Sequence, residues 1–156
     1  MLADLFSLAA YDLVFVITAT LFNLLIAAIF IAQKRQRPDL VRVFGILWLA
    51  LGIPLLLVFI HYLGLGKELW LMIYFGLVLF YMLVELLLDY IFKFDFRSKP
   101  STHIPYIVLE YIALFGLIGI SFAVNRTWGF IVSISFWILL GSLIYLYRGR
   151  RNLASG

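Results

Sequence analysis

YMLVELLLDYIFKFDFRSKPSTHIPYIVLEY, residues 81–111, holds the end of one apolar run, the start of another, and the most charged connection in the chain. Its apolar halves carry Glu85, Asp89 and Glu110. The chain as a whole is 65% hydrophobic and 13% charged, with Phe, Trp and Tyr at 18%. Carboxylates placed inside apolar runs of such a chain are costly and need a physical reason.

Working outward from this stretch, apolar runs of helix-spanning length recur. About 20 helical residues, rising 1.5 Å each, cross the roughly 30 Å hydrocarbon layer. Segments at 11–32, 41–63, 69–92, 105–125 and 128–147 meet that length. They use up nearly all of the 156 residues. The expected fold is all-α: a polytopic integral membrane protein, one domain over 1–156, built as a five-transmembrane-helix up-and-down bundle. Residues 148–156 read as a polar, disordered tail. The expected setting is the cell membrane, multi-pass, with the lipid bilayer as first partner.

Composition removes several function classes. There are no cysteines, so disulfides, thiolate metal sites and Cys nucleophiles are excluded. The net charge of +4 is dispersed along membrane flanks and forms no nucleic-acid face. Residues 1–12 hold no Lys or Arg, so the basic start of a cleavable signal is missing. The motifs H-E-x-x-H, G-x-S-x-G, the Walker loop and G-x-G-x-x-G are absent, which leans the reading away from an enzyme.

The breaks between segments have local causes. Pro38 follows the polar run Gln33–Arg37, and Pro54 should kink segment two. Pro100 and Pro105 should keep the connection 93–104 from being helical throughout, with Pro105 in the first turn of segment four. The turn Asn125-Arg126-Thr127 is short enough to force segments four and five antiparallel. It matches a glycosylation sequon so near the membrane that the match reads as chance.

Helical spacing puts Asp12, Val16, Ala19, Asn23 and Ala27 on one face of segment one, suited to face inward. Gly45, Leu49 and Gly52 share a face of segment two, and Tyr74, Val78, Tyr81, Glu85 and Asp89 a face of segment three. His103, Tyr106, Glu110, Ala113, Leu117 and Ser121 share one of segment four.

Charge sets the expected orientation. Of twelve Lys and Arg, only Lys67 and Arg126 fall on one side of the alternating segments, and the other ten fall opposite. The positive-inside rule then puts the connection 93–104 and the C-terminus in the cytoplasm and the N-terminus outside. It also puts Glu85 and Glu110 at one depth, about 7–10 Å inside the apolar boundary at 1.5 Å per residue. Asp89 and His103 would lie nearer the water, and Arg42 would enter at that level.

The best functional reading is a polar pocket in the cytoplasmic half that binds or moves an ion, proton or small ligand. Glu85 and Glu110 would be the binding acids, with Asp89 and His103 at the mouth. Tyr81 and Tyr106 would donate hydrogen bonds to the acids, and Asn23 would support the packing. A divalent cation is the one cofactor that suits such carboxylates with an imidazole. The bland alternative is that Arg42 pairs with Glu85 or Glu110 and holds three helices in register, with Asp89 pairing to Lys93. Two further readings are a lipid-head-group enzyme using Lys93, Arg97 and Lys99, and a non-catalytic subunit of a membrane complex. A homo-oligomer or a membrane partner subunit would be needed for a continuous pathway, since five helices make a narrow bundle.

Overall fold

A computed structural model describes residues 9–93 and 100–151, with backbone alone at 100, 102, 103 and 149–151. Its described residues are all-helical. The elements are α1 (Ala10–Lys34), α2 (Pro38–Ala50), α3 (Gly52–Gly64), α4 (Leu69–Glu85), a π-helix (Leu86–Ile91), α5 (Pro100–Val124) and α6 (Arg126–Arg151). They make five helices long and apolar enough to cross a membrane: Ala10–Lys34, Pro38–Gly64, Leu69–Ile91, Ile104–Val124 and Arg126–Arg148. The perimeter is apolar, with Ile53 67% and Trp137 69% exposed. Such a surface invites aggregation in water and matches hydrocarbon, where helices satisfy their own backbone.

Each turn follows from local chemistry. Gln36 takes the left-handed conformation (φ 53°), and the Arg37 amide reaches back to the Ala32 carbonyl, closing α1. Gly66 does the same after α3 at φ 63°, where only glycine escapes the Cβ penalty, and the Lys67 amide reaches the Tyr62 carbonyl. Asn125 caps α6: its side-chain oxygen accepts from the amides of Thr127 (2.9 Å) and Trp128 (3.3 Å). That cap accounts for the asparagine at this turn.

The second span breaks at Leu51, between α2 and α3. Pro54 has no amide hydrogen for the Ala50 carbonyl four residues back, so the helix parts one residue beyond it. The break lets the two halves take different neighbours. α3 packs against α1 and α4, while the close backbone neighbours of α2 are α1 and α3 itself.

The ring of spans closes through α1, which packs against α2, α3, α5 and α6. The expected inward face of the first segment is the buried one: Val16, Ala19, Asn23 and Ala27 are all buried, and Asp12 is half-buried. Three layers follow along the bundle. At the Tyr62 end, the Tyr62 hydroxyl donates to Asp12, and Tyr11 stacks on His61 at 3.7 Å between ring centroids. The middle is dry, filled by Phe15, Val16, Val58, Phe75 and Val78, each at 0% exposure. Beyond it Phe22, Trp48, Tyr81 and Tyr106 form an aromatic layer with centroid separations of 4.9 to 6.4 Å.

Three local features depart from the sequence reading. α5 begins at Pro100, so Pro105 lies inside it and not in its first turn. Proline at a helix start needs no amide donor, and Pro100 meets that condition as well as Pro105 does. α6 continues as helix through Arg151, past the expected end at 147. The third span ends in a π-helix, with the Phe92 amide donating to the Leu87 carbonyl at 2.8 Å. Lys93 then leaves with φ 49°, and among the described residues it forms no ion pair with Asp89. Residues 94–99, including Arg97 and Lys99, lie outside the described residues, as do 152–156 of the tail.

Candidate functional site

The third and fourth spans place their polar side chains at the end of the bundle where α2 stands apart from α4. A half-open cavity of about 1380 Å³ lies there, lined by residues from all five spans. Glu85, Asp89, Glu110, Arg42, Tyr81 and Tyr106 are all on its wall. The structure therefore gathers six of the eight residues singled out from the sequence. Asn23 lies outside the lining, deeper in the bundle, and the His103 side chain lies outside the described residues.

The floor of the cavity is a hydrogen-bonded chain. The hydroxyls of Tyr81 and Tyr106 stand 3.2 Å apart, and the Tyr106 hydroxyl donates to Glu85 Oε2. Tyr81 is 3% exposed and belongs to the aromatic layer, while Glu85 is half-buried. A buried phenol linked through a second phenol to a carboxylate is a satisfied polar network, the condition under which polar groups tolerate a low-dielectric setting. Asn23 supports the layer below: its amide nitrogen donates to Ser135 Oγ at 2.9 Å and to the Val132 carbonyl at 3.3 Å. This ties α1 to α6, as expected of an intramembrane amide.

Cations come from the other side of the cavity. Lys34, Arg37 and Arg42 line it from the end of α1 and the start of α2. Lys34 is engaged: its ammonium donates to the Tyr145 carbonyl and lies 3.7 Å from the Tyr145 ring centroid. The alternative reading pairs Arg42 with Glu85 or Glu110. Among the described residues Arg42 is exposed and makes no hydrogen bond or ion pair, and the same holds for the Arg37 side chain. The exposed position explains this for Arg42: a long cationic side chain at the edge of a span reaches toward water. Glu85, Asp89 and Glu110 have their own interactions.

Two features of the wall escaped the sequence reading. Tyr90, on the π-helix, packs its hydroxyl so closely over Gly45 that a Cβ there would collide with it. The small-residue face of segment two was legible, but its occupant was not. An i→i+5 turn re-aims the side chains after Glu85, and nothing in the residue types announces it. Trp48 is the second. It is 3% exposed, it lines the cavity, and its indole nitrogen has no acceptor. An indole N–H donates only, and such groups normally find a partner when buried.

The expected divalent cation needs three or more ligating groups. Among the described residues, no group of three His, Cys, Asp or Glu is close enough to hold a metal ion. No family model, curated protein or solved structure matches the chain.

Proposed function

We propose that the chain is a non-enzymatic, multi-pass protein of the cell membrane, its arginine-rich end in the cytoplasm, that binds a small ligand in the cavity at that end. The observation that carries this reading is one cavity shared by all five spans, lined by Glu85, Asp89, Glu110 and Arg42 with Tyr81 and Tyr106 beneath them. Its volume of about 1380 Å³ is far more than an ion needs and exceeds the roughly 300–1,000 Å³ of common small-molecule sites. Intramembrane ionisable groups facing a cavity mark ligand or ion sites by their cost alone. Binding is favoured over passage, because Phe15, Phe75, Val58 and Val78 fill the bundle beyond the aromatic layer.

The test is native mass spectrometry of the full chain released from its own membranes in mild detergent. A small-molecule adduct is expected on the wild type, lost in E85Q and in E110Q while both variants keep their helical content and monodispersity. An unliganded wild type, or an adduct retained in both variants, rejects the reading.

A further inference from the structure

The cavity wall is divided by charge. Among the described residues, its bases, Lys34, Arg37 and Arg42, come from the α1–α2 hairpin, and its acids, Glu85, Asp89 and Glu110, from the third and fourth spans. Arg37 and Arg42 have no partner among the described residues, and the Trp48 indole N–H, on the same helix as Arg42, has none either. Arg42, Gly45 and Trp48 recur every three residues, so they wind along α2 by roughly 60° a step, and all three line the cavity. That row carries side-chain donors only: a guanidinium that suits phosphate bidentately, and a buried indole N–H deeper in the wall. The facing wall supplies carboxylates, which suit an ammonium group. Ile26, Ile29 and Phe30 of α1 and Leu139, Leu143 and Leu146 of α6 add apolar wall.

The geometry points to a zwitterionic phosphate ester bearing an amine as the ligand, its phosphate on Arg42 and Trp48 and its amine on Glu85 and Glu110. This rests on the pocket reading above and narrows it to one chemistry. The two sources of that chemistry are a phosphatidylethanolamine head group, with its acyl chains along the apolar wall, and free phosphoethanolamine. A purely cationic ligand leaves Arg37, Arg42 and the Trp48 donor unanswered. A purely anionic ligand meets three carboxylates.

The experiment uses the full chain in nanodiscs of phosphatidylcholine doped with either phosphatidylethanolamine or phosphatidylglycerol. In a third preparation soluble phosphoethanolamine is added to undoped discs. Native mass spectrometry reads what stays bound. The expected result is retention of phosphatidylethanolamine over phosphatidylglycerol, weakened roughly tenfold or more in R42Q and in E85Q, since each removes a charge-assisted hydrogen bond. W48F keeps the ring contacts with Phe22 and Tyr81, so it serves as a variant that folds; it should weaken retention without altering helical content. Retention of phosphoethanolamine without lipid assigns the free ester, and retention of the lipid alone assigns the head group. Equal retention of both lipids, or loss in E85Q but not in R42Q or W48F, overturns the zwitterion assignment and leaves the pocket reading standing. A wild type that retains nothing in any preparation overturns both.

Discussion

Asn23 is fully buried, with its amide nitrogen shared between Ser135 and Val132 and its oxygen unmatched. Two substitutions separate these halves. N23A removes the hydrogen bond and leaves a void, so a loss of about 0.6–1.7 kcal/mol from the polar contact is expected, plus a packing cost. N23L fills the space and removes the unmatched oxygen, so it should fall closer to wild type. Unfolding in a mixed detergent series measures both, and a leucine variant less stable than the alanine one would contradict the account. The glycines make a second ordered pair. A Cβ at Gly129 meets the body of the Phe122 ring, whereas one at Gly45 meets the hydroxyl tip of Tyr90. A ring tip clears with a small tilt, whereas Phe122, whose Cγ itself collides with the new Cβ, must leave its rotamer and swing further into the perimeter where it is already exposed. G129A should therefore cost about 1–3 kcal/mol, as overpacking does, and G45A less, with Y90F relieving part of it. The same unfolding series checks the order.

At the scale of elements, what could be read from the chain was what periodicity encodes. The face Val16, Ala19, Asn23, Ala27 is a statement about 3.6 residues per turn, and the buried side chains follow it. The break near Pro54 follows from a missing amide hydrogen. Asn125 at the start of α6 follows from the same kind of reasoning, because an asparagine just before an apolar run is a cap signal. The π-helix was out of reach. Its i→i+5 bonds depend on how the end of the third span meets its neighbours, and LLLDYI has no residue type that requires them. Its consequence is testable because the chain has no cysteine of its own. The tyrosine side chain spans the gap between residues 45 and 90, so a short bis-thiol reagent should bridge a G45C/Y90C pair that direct oxidation leaves open. In G45C/D89C and G45C/I91C the second thiol is turned away by roughly 80–100° around the helix, and bridging should fail. Equal bridging of all three pairs would mean the π-turn does not aim residue 90 at Gly45.

The cavity belongs to the whole molecule, and so does the limit on reading it early. Depth arithmetic placed Glu85 and Glu110 together because both are counted from the same boundary. Helix periodicity does not say that α2 parts from the third span after the Leu51 break, which is what makes room beside them. The same arrangement makes a vestibule open at one end, with the Phe15, Phe75, Val58 and Val78 layer filling the other half. Single cysteines in vesicles of known sidedness distinguish this from a pore. I107C and L143C, on the cavity wall, should react quickly with a membrane-impermeant maleimide supplied from the arginine-rich side and hardly at all from the other. V58C and V78C, in the dry layer, should resist reagent from both sides. L65C, in the turn at the Tyr62 end and 60% exposed, should react only from the side opposite to I107C. Thiol reactivity needs the thiolate, which forms readily in water and poorly in an apolar layer, so the contrast in rate reports where water reaches. Protection at Val58 and Val78 with reaction at Ile107 and Leu143 is the pattern of a binding vestibule. Reaction at Val78 from either side would mean that water crosses the bundle, and the protein would then have to be read as a path and not as a pocket.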